Sequence, residues 1–112
     1  MTNAKKLRIV KKNHEFQDII NKKRFVKNNL FVVYFFKKED QFLRYGISVG
    51  KKLGNAVLRN KAKRQVRMIM RTHLEEISLI KADIIILVRN NFLRSDFKES
   101  SNLLVGLIKN IK

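Results

Sequence analysis

Apolar residues recur along this chain with two periods, and the switches between them divide it into helices and strands. From Asn13 to about Asn21, Phe16, Ile19 and Ile20 fall at i, i+3 and i+4, which predicts a short amphipathic helix with Asn13 as its N-cap. Arg24–Val26 reads as a short strand and Leu30–Lys37 as a firmer one, rich in aromatic and β-branched residues. Lys38–Gln41 is polar and charged, as suits a turn. Phe42–Gly50 then alternates, with Leu43, Tyr45, Ile47 and Val49 on one side and Arg44, Gly46 and Ser48 on the other. The alternation predicts a sheet with one face covered and one available.

Gly50–Asn55 leads into a long helix predicted over residues 56–77, with Asn55 as its N-cap. Projected at about 100° per residue, Leu58, Ala62, Val66 and Ile69 share an apolar arc. Arg59, Lys63, Arg67, Asn60, Arg71 and Arg64 follow one another in the adjoining arc of roughly 140°, which Met70 and Leu74 also enter. Asp83–Arg89 has the continuous apolar run of a buried strand. Asp96–Ile111 reads as a last helix, capped by Ser95 or Asp96, with Leu103, Leu104, Leu107, Ile108 and Ile111 on its apolar side. The order is α-β-β-β-α-β-α, an α+β arrangement that two layers, helices on one sheet, accommodate. No repeat, low-complexity tract, linker or proline interrupts it, so residues 1–112 are predicted to form a single domain. Residues 1–12, with five lysines and arginines, form a basic N-terminal arm, either laid on a polyanion or simply solvated.

Charge turns this outline towards function. Twenty-six basic residues against nine acidic ones give a net charge of +17, spread over both halves, which makes nucleic acid the default partner. The concentration is highest in residues 51–71, which hold eight lysines and arginines and no acid. Arg59, Lys63, Arg67 and Arg71 succeed one another at four-residue steps, where like charges repel by about 0.2–0.5 kcal/mol per pair. A helix shaped only for stability would place acids between them, so an external polyanion explains the array best. Gly50, Lys51, Lys52 and Gly54 precede a helix N-terminus, where free N–H groups favour phosphate, but the spacing is not that of a P-loop. On the available sheet face, Arg44 and Ser48, flanked by Tyr34 or Phe36, suit a single strand by stacking and charge contact; the competing reading places each aromatic in the core.

Several kinds of chemistry drop out. Cysteine is absent, which removes disulfides, thiol catalysis and cysteine-ligated zinc and agrees with a reducing cytoplasm. The longest apolar runs, Leu30–Phe36 and Ile84–Val88, are far below the roughly 20 residues of a membrane span, and no apolar h-region follows the basic start. His14 and His73 lack a second ligand at metal spacing. Glu39–Asp40 and Glu75–Glu76 are adjacent pairs whose side chains diverge, and no serine has a nucleophile's setting. No catalytic residue or protein-held metal site is predicted; any part in catalysis would be positioning and electrostatics.

The segment ISVGKKLGNAVLRNKAKRQVR, Ile47 through Arg67, closely resembles the signature of the bacterial ribonuclease P protein subunit, and RIVKKNHEFQDII, NNLFVVYFF and DIIILVRN extend the resemblance over essentially the whole chain. The resemblance implies a cytoplasmic partner of a ribozyme, whose RNA subunit holds catalytic magnesium ions while the protein helps it remove the 5′ leader from precursor tRNA. It implies that Lys51, Lys52, Asn55, Arg59, Asn60, Lys61, Lys63, Arg64, Arg67 and Arg71 lie against the RNA subunit. Lys61, where the family commonly has arginine, projects about 60° beyond the main basic arc. The resemblance also implies that Phe16, position 20 and Tyr34 line a leader cleft between the first helix and the sheet, where Arg44 and Ser48 would join them; Ile20 stands where the family often has phenylalanine. The implied fold is an α/β sandwich with a left-handed β-α-β crossover, ribosomal protein S5 domain 2-like, against the usual right-handed preference, and the free protein is expected to be monomeric. A structural ribosomal RNA-binding protein and a self-sufficient metal-dependent nuclease are the rival readings that the residues leave open.

Overall fold

A computed structural model describes residues 8–9, 13–21, 24–38 and 43–111. Its elements are β1 (Arg8–Ile9), α1 (Asn13–Asn21), β2 (Phe25–Lys27), β3 (Phe31–Lys37), β4 (Arg44–Val49), α2 (Ala56–Thr72), α3 (Leu74–Ile77), β5 (Ala82–Val88) and α4 (Phe97–Lys109). Short 3₁₀ turns at Lys51–Leu53 and Asn90–Arg94 connect β4 to α2 and β5 to α4. The five strands lie in the order β1-β4-β5-β3-β2, with β3 antiparallel to both β2 and β5, and β4 parallel to both β1 and β5. The parallel β4–β5 pair is joined through α2, as a crossover connection requires.

Alternation along the strands builds two unlike faces. Leu43, Tyr45, Phe31, Val33, Ile84 and Ile86 point to one side and pack with Ala62, Val66, Ile69 and Met70 of α2 and with Leu104 and Ile108 of α4. This is the main core. On the other side the register sets three rows across β4, β5 and β3: Ser48, Leu87 and Val32; Gly46, Ile85 and Tyr34; Arg44, Asp83 and Phe36. α1 covers only part of that face, where Ile19 and Ile20 pack on Ile85, Tyr34 and Leu87. α2 and α4 therefore fill one face, and α1 sits on part of the other.

Three boundaries differ from the sequence pattern. Arg8–Ile9, predicted as irregular arm, add a strand beside Arg44–Tyr45; the rest of that arm and the turn at 39–42 lie outside the described residues. Asn13 is the first helical residue rather than the cap, a one-residue shift of the kind expected at frayed ends. The helix predicted over 56–77 breaks at His73 (φ −106°, ψ 24°), after the weak helix former Thr72, and resumes as the single turn α3.

Asn55 and Asp96 cap α2 and α4, their side chains accepting hydrogen bonds from the backbone N–H groups of Leu58 and Glu99 at 3.0 and 2.7 Å. The step into α2 uses Gly54 at φ +149°, where a Cβ would lie 2.6 Å from Leu58 Cδ1.

Candidate nucleic-acid interface

The orientation of α2 decides which cations can meet a ligand. Ala62, Val66, Ile69 and Met70 are fully buried, whereas Leu58 is 39% exposed. The buried stripe is therefore rotated from the projected one towards Met70, which the periodicity had assigned to the basic arc. Tertiary neighbours cause the rotation, since Met70 joins the main core while Leu58 lies over Gly54. Arg59 and Lys63 consequently sit half-buried at the edge of the stripe, and Asn60, Lys61, Arg64, Arg67 and Arg71 are exposed. Arg64 lies nearly opposite the buried stripe, at the crest of the helix.

Among the described residues no carboxylate comes within ion-pair distance of Lys51, Lys52, Arg59, Lys61, Lys63, Arg64, Arg67 or Arg71. The Nε–H of Arg59 is enclosed and has no hydrogen-bond partner, which leaves a strong donor unused by the protein. Burial pushes the Tyr45 phenol up, and the charges of Arg67 and Arg71 pull against the rise. Tyr45 belongs to β4, so the cationic flank of α2 hangs over the β4–β1 side of the sheet. Lys51 and Lys52, both exposed in the turn after β4, extend the charge to the helix N-terminus. Asn55 Oδ1 is engaged in the helix cap, which gives that side chain a structural task first.

The open sheet face begins around the same edge. Arg44, Gly46 and Ser48 lie on this face of β4; Arg44 and Ser48 are half-buried, and Gly46 between them is buried. Ser48 and Arg44 are four residues apart, about 13 Å along the strand. Tyr34 and Ile20 are half-buried in the packing of α1 on the sheet, and Tyr34 also meets Phe25 at a ring-centroid distance of 5.4 Å. Tyr34 therefore packs against α1 and Phe25 while remaining half-buried rather than fully enclosed. The side chain of Phe16 lies outside the described residues.

Arg44 carries a feature the sequence did not disclose. Its guanidinium donates two hydrogen bonds to Asp83, Nε to Oδ1 at 2.9 Å and Nη2 to Oδ2 at 2.7 Å, and Lys38 Nζ reaches Oδ2 at 2.7 Å. Asp83 is 2% exposed. Burial raises the pKa of its carboxyl, but the hydrogen bonds from Arg44 and Lys38 outweigh burial and hold it below the ordinary carboxylate range. Away from this face, Glu76 is shared by His73 and Lys109 at 3.1 and 2.9 Å, and these bonds lower its pKa too.

Comparison with known proteins adds what geometry alone does not. The family model described as Ribonuclease P matches residues 4–112. The chain belongs to the ribonuclease P protein family. It is 54% identical to the ribonuclease P protein component of Mycoplasma capricolum over 96% of this chain and 99% of that one. The ribonuclease P protein component of Mesoplasma florum is 46% identical, over 94% and 99%. Among solved structures, the RNase P protein of Staphylococcus aureus superposes with a TM-score of 0.81 at 41% identity, covering 96% of this chain and 97% of that one. The RNase P protein from Thermotoga maritima gives 0.82 at 34% identity, covering 92% and 96%. Within this ribonuclease P protein, the residues that sequence reasoning missed are Asp83, Lys38 and Tyr45, whose partners are remote in sequence. The only available signal was Asp83 itself, a lone acid at the head of a buried strand.

Proposed function

We propose that this chain is the protein subunit of a ribonuclease P ribonucleoprotein, binding the RNA subunit through α2 and the 5′ leader of precursor tRNA on the open sheet face. The observation that carries the reading is the acid-free cationic flank of α2, turned over the β4 edge of the sheet, whose other face carries Arg44 and Ser48. One polyanion can follow the flank of α2 while an extended strand runs along β4. In this reading Lys51, Lys52, Arg59, Asn60, Lys61, Lys63, Arg64, Arg67 and Arg71, with Asn55 at the cap, meet the folded RNA. Lys61 gains weight from its exposure. Phe16, Ile20, Tyr34, Arg44 and Ser48 form the leader cleft, with Ile20 supplying apolar contact in place of a stacked ring.

Chemistry in this scheme belongs to the RNA. Leader removal is endonucleolytic hydrolysis assisted by magnesium ions, and two of the protein's acids are already engaged, Asp83 by Arg44 and Lys38 and Glu76 by His73 and Lys109. Among the described residues no three His, Asp or Glu side chains gather as a metal site would require. The protein contributes positive potential, which lowers the concentration of magnesium needed for two polyanions to associate. Free protein is monomeric in this account. No helix among the described residues is long and apolar enough to cross a membrane.

Reconstitution tests the reading. Added to a ribonuclease P RNA at low magnesium, the protein is expected to stimulate leader removal. A protein that only supports ribosomal RNA would leave the rate unchanged, and cleavage by rigorously RNA-free protein would overturn the assignment of chemistry to the RNA.

A further inference from the structure

The end of the sheet away from the Lys51–Leu53 turn carries cations that belong to neither surface described above. There the end of β3 and the start of β5 lie side by side, with Lys37 paired to Ala82. The ladder runs one bond further, the N–H of Lys38 donating to the carbonyl oxygen of Lys81 at 2.9 Å, which ties the two lysine-bearing segments together. A groove of about 560 Å³ at this end is lined by Lys37, Lys38, Ile80, Lys81 and Ile111. Ile80 is half-buried, Ile111 belongs to the main core, and Leu79, beside Ile80 in the chain, is 72% exposed. Lys37 and Lys81 are exposed, and among the described residues neither has a carboxylate within ion-pair distance. Lys38 differs, because Asp83 holds its ammonium group and leaves the aliphatic stem to line the groove.

The chemistry of this groove is unlike that of α2. Its described lining has neither a guanidinium fork, which grips a phosphate at two points, nor a flat ring on which a base could stack. It has branched aliphatic side chains edged by ammonium groups on flexible stems. Such a surface is complementary to leucine-like side chains flanked by carboxylates: apolar burial supplies attraction, and the charges select an acidic partner over a basic one. A helix with one apolar stripe and acids beside it presents these groups together. Position agrees with chemistry. The groove sits at β5 and β3, whereas the cationic flank of α2 hangs over the β4 edge, so a polyanion lying along that flank need not cover it.

We propose that this groove docks an acidic amphipathic segment of a protein partner, its apolar stripe on Ile80 and Ile111 and its carboxylates on Lys37 and Lys81. The test titrates the full chain with a synthetic helical peptide of about four turns that carries leucine and glutamate on adjoining stripes, each amide signal being followed by NMR. The signals of Lys37, Lys38, Ile80, Lys81 and Ile111 should move first, ahead of those in α2. An RNA oligonucleotide of equal charge should move the α2 signals first. Joint Lys37→Glu and Lys81→Glu substitution should weaken peptide binding about tenfold or more, since two exposed ion pairs become repulsions. The milder pair Lys37→Gln and Lys81→Gln should give a smaller loss in the same direction, which separates loss of charge from loss of fold. Exchanging the peptide's leucines for serine should weaken binding at least about fivefold, by removal of the apolar contact.

Peptide-induced shifts that begin on α2, or an affinity that neither pair of substitutions changes, overturn the proposal. A serine peptide that binds as tightly also overturns it, by reducing the contact to attraction by net charge. If the RNA oligonucleotide moves the groove's signals first, the groove is a nucleic-acid surface and the protein partner is wrong.

Discussion

Asp83 shows what a single buried charge does in this molecule. It lies between Lys38 and Arg44, and replacing it would remove the carboxylate charge that both cations engage. Asp83→Asn is expected to cost about 2–3 kcal/mol, below the usual range for breaking a buried ion pair because both cations are partly solvated. Urea denaturation at neutral pH measures it. The sign of the pH effect follows from the lowered carboxyl pKa: its contribution is fully present above the unfolded value of about 3.9 and is lost as pH falls through the lower folded value. Denaturation midpoints followed downward from pH 5 should therefore fall less steeply in Asp83→Asn than in the unmodified protein. Gly54 offers the second test at this scale. With φ at +149° and Leu58 Cδ1 only 2.6 Å from the position of a Cβ, Gly54→Ala is expected to cost about 1–3 kcal/mol in thermal unfolding. Leu58 can swing away, so backbone strain supplies most of the loss.

Among the elements, α2 bears both the core and the charge, and its rotation keeps the two apart. Met70→Ala should destabilise the fold by about 2–5 kcal/mol, as for other buried large-to-small changes, whereas Leu58→Ala should cost under about 1 kcal/mol. Equal losses would mean that the projected apolar arc, and not the observed one, describes the helix. Most elements were legible in the sequence because each carries a period: strand alternation at Leu43–Val49 and helical spacing at Ala62, Val66 and Ile69 need no tertiary knowledge. Arg8–Ile9 were not, since two residues have no period and their pairing depends on β4. The break at His73 and the burial of Met70 were hidden for a related reason, being set by what α2 packs against. The acid-free run of cations was fully legible, but its placement over the β4 edge required the fold.

At the scale of the whole molecule, one sheet edge brings two surfaces together. The flank of α2 lies on one side of it, and the row of Ser48, Gly46 and Arg44 lies on the other. This arrangement predicts a division of labour. Arg64→Ala, at the crest of α2, should weaken assembly with the RNA subunit, while Phe16→Ala should weaken binding of precursors with a leader and leave mature tRNA little changed. Equal losses on both substrates for Phe16→Ala would remove the case for a leader cleft. Asp83 and Arg44 meet at the far end of that row, 39 residues apart in sequence, and only folding brings them together.

The most direct test of the central claim is the salt dependence of affinity for a ribonuclease P RNA, measured for the unmodified protein and for Arg64→Ala and Arg67→Ala. The account predicts a steep linear fall of log K with log salt concentration, and a slope made shallower by about 0.7–0.9 for each phosphate contact that a substitution removes. Affinity that ignores salt, or slopes left unchanged by both substitutions, would contradict it.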